Sequence, residues 1–137
     1  MFLLQKGSIS GVRTIKILVA DDELRLRKIV TLFLKKHGHD VVEVSTGEQA
    51  LSAATHTVPD IIIMDINMPG MGGIEACRRL KTENLCKEIP LILLTANIDE
   101  KTRNEGFEAG AAAYMTKPFS PKGLLEKIKT VANTPKP

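Results

Sequence analysis

The sequence has no tryptophan, one tyrosine (Tyr114) and four phenylalanines, an aromatic share of 4%. A surface that grips single-stranded nucleic acid by stacking bases on its rings needs more rings than this. A surplus of charge is missing too: 19 basic residues stand against 16 acidic ones, net +3, and no basic run forms, so composition gives no support to nucleic-acid binding. Only two cysteines occur, Cys77 and Cys86, nine residues apart and without a companion Cys-x-x-Cys or histidine pair. They read as reduced thiols, neither a disulfide framework nor a metal site. No apolar run approaches the roughly 20 residues that cross a bilayer. The opening Met1-Phe2-Leu3-Leu4 is too short, with no basic residue before it, to act as a secretory signal. These absences lead to the expectation of a cytoplasmic protein with no membrane contact.

What is present is a chain of 137 residues, 43% apolar and 26% charged, the size and mix of one globular domain. Short β-rich apolar runs alternate with amphipathic ones. Lys16 to Ala20 reads as a strand, followed by a helix with a stripe at Leu26, Ile29, Val30, Phe33 and Leu34 that stops at Gly38. Val41 to Val44 is a second strand, and Thr46-Gly47-Glu48-Gln49 has the form of a capping box opening a helix. Ile61 to Met64 is a strand apolar on both faces; helices over about Ile74 to Thr82 and Asp99 to Ala109 flank another such strand, Leu91 to Thr95. Ala113 to Thr116 is the fifth strand, and Ser120-Pro121 opens a last helix with Leu124, Leu125, Ile128 and Val131 on its apolar face. Five β-α units without repeats predict a single doubly wound α/β domain over residues 15–132, with a loose arm at 1–14 and a tail or the start of a linker at 133–137.

Parallel strands with right-handed crossovers send all their C-terminal ends to one edge, where α/β proteins place their sites. That edge collects Asp21 and Asp22, Asp65, Thr95 and Lys117. Each has a bland explanation by itself. An acid can cap a helix, a strand can end in aspartate or threonine, and a loop lysine is usually solvated. Gathered together they have a chemistry. Three carboxylates at one edge stay ionised only around a cation, and an oxygen-only ligand set favours a hard one, Mg²⁺ above all. A carboxylate beside Mg²⁺ can attack a phosphoryl group, with a lysine neutralising the equatorial oxygens. Behind Asp65, the turn formers Pro69, Gly70, Gly72 and Gly73 let the backbone approach whatever Asp65 holds.

The segments Asp21-Asp22, Met64 to Gly73, Leu94-Thr95-Ala96 and Lys117-Pro118-Phe119 together resemble the receiver domain of two-component response regulators, over about residues 15–132. The resemblance implies a flavodoxin-like (βα)5 fold with sheet order 2-1-3-4-5. It implies phosphorylation of Asp65 by the phosphohistidine of a sensor histidine kinase or a histidine phosphotransfer protein. Mg²⁺ would be held directly by Asp22 and Asp65, by Asp21 through water and by the main-chain carbonyl of Asn67. Lys117 would bind the phosphoryl group, Thr95 and Tyr114 would form a switch pair acting on the surface of the fourth helix, fifth strand and fifth helix, and the Lys117-Pro118 bond would be cis. Such a domain is a self-phosphorylating and slowly self-dephosphorylating signalling module and not an enzyme. Two other readings stand beside it. A dehalogenase-type phosphatase also uses a strand-end aspartate, but resembles a pattern with a second aspartate two residues on, where this chain has Asn67, which cannot carry a proton to a leaving group. The other is a metal-binding interaction module that is never phosphorylated.

Receivers that dimerise through the switch surface and carry a winged-helix DNA-binding domain hold the dimer with acids just before the switch aromatic and early in the last helix. This chain has Ala112, Ala113 and Gly123 there, while Arg103 and Lys127 keep the basic halves. Like charges facing two-fold mates would repel. The expectation is therefore a receiver mainly monomeric when unphosphorylated, signalling by protein contact to an output protein or a fused output domain, and not by direct DNA binding.

Overall fold

The computed structural model describes residues 14–96 and 99–132. The tail at 133–137 and all but Thr14 of the expected N-terminal arm lie outside the described residues. Ten elements alternate: β1 (Lys16–Ala20), α1 (Leu24–Lys36), β2 (Asp40–Val44), α2 (Gly47–Thr57), β3 (Ile61–Asp65), α3 (Gly73–Leu80), β4 (Leu91–Thr95), α4 (Glu100–Glu108), β5 (Ala113–Thr116) and α5 (Pro121–Ala132). All neighbouring strands pair in parallel, in the order β2-β1-β3-β4-β5. The (βα)5 expectation and its strand order are both met.

The two-faced burial read from the strands divides by parity, because successive side chains leave a strand on opposite sides. Leu18, Ala20, Ile62, Met64, Leu91 and Leu93 face the helices α2, α3 and α4 through Ala50, Ala54, Ala76, Cys77, Leu80 and Ala109. Ile17, Val19, Ile61, Ile63, Ile92 and Leu94 face α1 and α5 through Val30, Leu34, Leu124, Leu125, Ile128 and Val131. Each face seals the sheet, so only the strand ends remain for chemistry. Burial also settles the thiols: Cys77 and Cys86 are free and buried, and burial pushes the Cys77 thiol up to about 11, leaving it protonated and inert.

Local rules explain most boundaries. Thr46 caps α2 by accepting the Gln49 N–H at 3.0 Å, and the reciprocal arm of the expected box reaches one residue further back, Gln49 Oε1 accepting from Ser45 N–H at 2.8 Å. Asp99 caps α4 by accepting the Thr102 N–H at 2.7 Å, and Ser120 Oγ accepts the Gly123 N–H at 2.9 Å just before Pro121 opens α5. The α1 stripe needs correction. Ile29 is 48% exposed, and α1 is buried about Val30 and Leu34, with Leu26 and Phe33 at the margin. Neighbouring helix positions lie about 100° apart, so Ile29 falls outside the stripe that Val30 and Leu34 define. The helix expected to run to Thr82 leaves α-geometry after Leu80 and continues as turns to Ile89, where the Lys81 ammonium donates to the Ile89 carbonyl at 2.6 Å.

His39 ties the lower end of the sheet. It is 6% exposed, its Nδ1 accepts the Ile15 N–H at 3.2 Å, and the Asp40 N–H donates to the Ile15 carbonyl at 3.0 Å. An accepting Nδ1 carries no proton. Burial, then the nearby His37 and Lys129, hold this imidazole below its ordinary 6.5, against a smaller opposing pull from Asp40. The unfolded chain takes up a proton that the folded one resists, so this stability is complete above the unfolded value and is lost as pH falls through the folded one. The urea midpoint is expected to drop between about pH 7 and pH 5, and His39→Gln to flatten that part of the profile. An equally steep profile in the variant would remove His39 as the cause.

Candidate functional site

The C-terminal ends of β1, β3, β4 and β5 bring the expected residues together. Asp21 follows β1 and is 1% exposed, Asp65 closes β3 at 4%, and Thr95 closes β4 at 0%. The exposed Asp22 stands beside Asp21, and the carboxylates of Asp21, Asp22 and Asp65 offer ligand atoms all within 4.8 Å of one another. Lys117, just after β5, reaches across the edge. Its Nζ lies 2.7 Å from Asp65 Oδ2, 3.2 Å from Asp21 Oδ2 and 3.7 Å from Glu23 Oε1. Its own N–H donates to the Thr95 carbonyl at 2.7 Å, and the Lys117–Pro118 bond is cis. The fold therefore delivers this lysine from the edge strand to the middle of the sheet.

One oxygen of each inner carboxylate is fixed by backbone. Asp21 Oδ1 accepts the Glu23 N–H at 2.9 Å, and Asp65 Oδ1 accepts the Asn67 N–H at 3.0 Å, each across two residues. The other oxygens face Lys117. Burial pushes the Asp65 carboxyl up from its ordinary range and Asp21 adds to the rise, outweighing the lysine and the Asn67 amide. Burial acts to lower the Lys117 ammonium, but Asp65 and Asp21 more than reverse it and hold it above its usual value. Burial governs the Asp65 shift and the surrounding acids govern that of Lys117, a single ammonium that falls short of neutralising the carboxylates around it. Asp21 Oδ2 shows the shortfall directly, since it is buried and, though 3.2 Å from Nζ, makes no hydrogen bond. An unsatisfied buried carboxylate oxygen within reach of two more carboxylates fits a hard divalent cation.

The loop after Asp65 is tightly seated. A Cβ at Gly73 would fall inside contact distance of the Asp65 carbonyl oxygen, so glycine is needed for α3 to start this close to the strand end. The Gly73 N–H donates to the Ile66 carbonyl at 2.8 Å, closing the loop that carries the exposed Asn67. Tyr114 is half-buried on β5, paired in register with Leu93, with Arg103 5.8 Å from its ring centre and the Phe107 ring at 6.3 Å. Glu23, the third of the acids that follow β1 in the sequence, sits near Lys117. Two residues near the site were not singled out from sequence: Arg27 donates to the Asp21 carbonyl at 2.7 Å, and Glu43 accepts from Arg27 at 2.9 Å. Charged residues on a helix face and a strand look like ordinary solvated surface, and only the fold joins them.

An open parallel α/β sheet with a carboxylate cluster and a half-buried lysine at its switch-point edge is a cation- and phosphate-handling class of domain. Comparison with known proteins makes this specific. The family model of the response regulator receiver domain matches residues 17–129, and the chain belongs to that family. The phosphate regulon transcriptional regulatory protein PhoB of Pseudomonas aeruginosa is 40% identical over 115 residues, 84% of this chain and 50% of that protein. Among solved structures, a putative response regulator from Chloroflexus aurantiacus superposes with a TM-score of 0.84 at 33% identity, covering 89% of this chain and 100% of that one. The receiver domain of a sensor histidine kinase from Pseudomonas aeruginosa, with a magnesium ion coordinated in its active-site cleft, superposes at 0.82 with 27% identity, covering 88% and 99%. The chain spans about half the length of the curated relatives it matches.

Proposed function

We propose that this receiver accepts a phosphoryl group on Asp65 from the phosphohistidine of a sensor histidine kinase or a histidine phosphotransfer protein. The observation that carries the reading is Lys117 Nζ held 2.7 Å from Asp65 Oδ2 within a cluster of acids it cannot neutralise alone. In the transfer, the phosphorus–nitrogen bond of the donor breaks as an Asp65 carboxylate oxygen bonds to phosphorus. The electron pair leaves on the donor imidazole, which then takes a proton from water. Lys117 is placed to pair with a phosphoryl oxygen, and Thr95 stands at the neighbouring strand end. Asp22 and Asp65 would hold Mg²⁺ directly, Asp21 through water and Asn67 by its main-chain carbonyl. The metal supplies charge neutralisation for the transferred group. The same group of residues acts on the domain itself, without turning over a metabolic substrate, and we place the domain in the cytoplasm; no described helix is long and apolar enough to cross a membrane.

Phosphorylation adds close to two negative charges beside Thr95. The proposed switch moves the Thr95 hydroxyl toward them and turns Tyr114 inward, away from Arg103 and Phe107. The face so altered carries a shallow pocket lined by Arg103, Phe107, Ala112, Ala113, Tyr114 and Lys127 among others, with two cations and no acid. That composition favours a protein partner over a charge-paired copy of the chain, so the output runs through protein contact and not through DNA bound by this domain. With Mg²⁺ and beryllofluoride, which mimics phosphoaspartate, amide signals across α4, β5 and α5 are expected to shift. Thr95→Ala should bind the mimic yet lose most of the shift at Tyr114. A full wild-type shift in the variant would break the coupling.

A further inference from the structure

We propose that Arg27 is a positioning residue that aims the metal-facing acids, with Glu43 as its brace; this rests on the phosphoacceptor reading above. Only three residues, Asp21 to Glu23, join β1 to α1, and they must send carboxylates inward while the chain reverses into a helix. Arg27 sits in the first turn of α1 with its side chain 14% exposed. Its Nη1 donates to the Asp21 carbonyl at 2.7 Å, and its Nε donates to Glu43 Oε1 at 2.9 Å.

That carbonyl belongs to the peptide unit joining Asp21 to Asp22. Holding it fixes the plane from which Asp22 leaves the backbone, since a peptide unit turns as a rigid body. Asp22 needs this help. Asp21 and Asp65 have backbone N–H partners for one oxygen each, whereas among the described residues the exposed Asp22 carboxylate has no hydrogen-bond partner. Its direction is set by its backbone, and its backbone is set in part by Arg27.

Glu43 has a second effect. A guanidinium this close to the acids would compete with a cation for them. The Glu43 carboxylate takes up that charge and ties Arg27 to β2. Burial acts to raise the Glu43 carboxyl, but Lys28 and Arg27 together hold it below its ordinary value, so it stays ionised to do so. Lys28 binds the other Glu43 oxygen at 3.1 Å, but it is 57% exposed and makes no contact with Asp21. It is the natural control.

The test is Mg²⁺ titration of the intact chain followed by amide NMR, with the urea midpoint of each variant measured alongside. A lysine ammonium cannot replace the two edges of a guanidinium. Arg27→Lys is therefore expected to lose about tenfold in Mg²⁺ affinity, the low end of what losing an outer-shell partner costs, and to shift the Asp22 amide before any metal is added. Lys28→Ala should bind Mg²⁺ as the wild type does. Glu43→Gln, nearly the same shape, should also weaken Mg²⁺ binding, and it decides the matter if Arg27→Lys folds poorly. Arg27→Lys or, in that case, Glu43→Gln binding Mg²⁺ like Lys28→Ala would overturn the proposal. A wild-type chain that binds no Mg²⁺ would overturn the phosphoacceptor reading, and this proposal with it.

Discussion

Lys117→Ala is expected to be about 3 kcal/mol less stable than the wild type in EDTA, and to recover most of that loss in saturating Mg²⁺. The ammonium is the cation nearest two buried carboxylates, at 2.7 and 3.2 Å from Asp65 and Asp21. Removing one partner of a buried ion pair leaves the other charge without its solvent and without its partner, which costs more than the pair contributes. Here two acids are stranded, with Asp22 adding to their repulsion. A divalent cation bound by the same oxygens replaces the missing charge and stabilises the folded state by mass action. The variant should also bind Mg²⁺ at least as tightly as the wild type, because the ammonium no longer competes for Asp65 Oδ2 and Asp21 Oδ2. Urea unfolding with and without Mg²⁺ measures both effects. A loss of equal size in EDTA and in Mg²⁺ would mean that Lys117 matters for packing and not for charge. Phosphoryl acceptance in this variant should survive in part, while the shift of the Tyr114 surface is lost.

The β-α alternation was legible because the central strands β3 and β4 are apolar on both faces and caps or glycines mark most of the helix ends. Ile61 to Met64 and Leu91 to Leu94 are buried to 1% exposure or less, as continuous apolar runs predict. Gly38 and Gly110 close α1 and α4 at φ 91° and 111°, the left-handed turn that glycine makes without strain. The gathering of Asp21, Asp22, Asp65 and Lys117 followed from topology alone, since a parallel sheet leaves no other place for its strand ends. Ile29 was misplaced because a helical stripe read from sequence drifts by a residue, and only the packing of Val30 and Leu34 fixes its centre. The support around the acids was not legible. Arg27 and Glu43 lie 16 residues apart, on different elements, and nothing local distinguishes them from solvated charges.

The same limit applies to the loop after Asp65. Its glycines announced a tight turn, yet the reason that Gly73 must be glycine is the carbonyl of Asp65 itself, which the fold folds back against it. Substitution there would move the backbone of Asp65. The site is thus built from the outside inward, with sheet register setting the strand ends, short backbone hydrogen bonds fixing one carboxylate oxygen each of Asp21 and Asp65, and the second oxygen of each turned to the lysine.

The most direct test of the account is the intact mass of the chain after treatment with acetyl phosphate. In Mg²⁺ the wild type is expected to gain one phosphoryl group, labile as an acyl phosphate is, and to gain none in EDTA. Asp65→Asn removes the nucleophilic carboxylate while keeping its size, so uptake should vanish, a larger effect than any other substitution in the site. Peptide mapping should place the wild-type group on Asp65. An equal uptake by Asp65→Asn, or uptake by the wild type that EDTA leaves unchanged, would contradict the assignment of Asp65 as a metal-dependent phosphoacceptor.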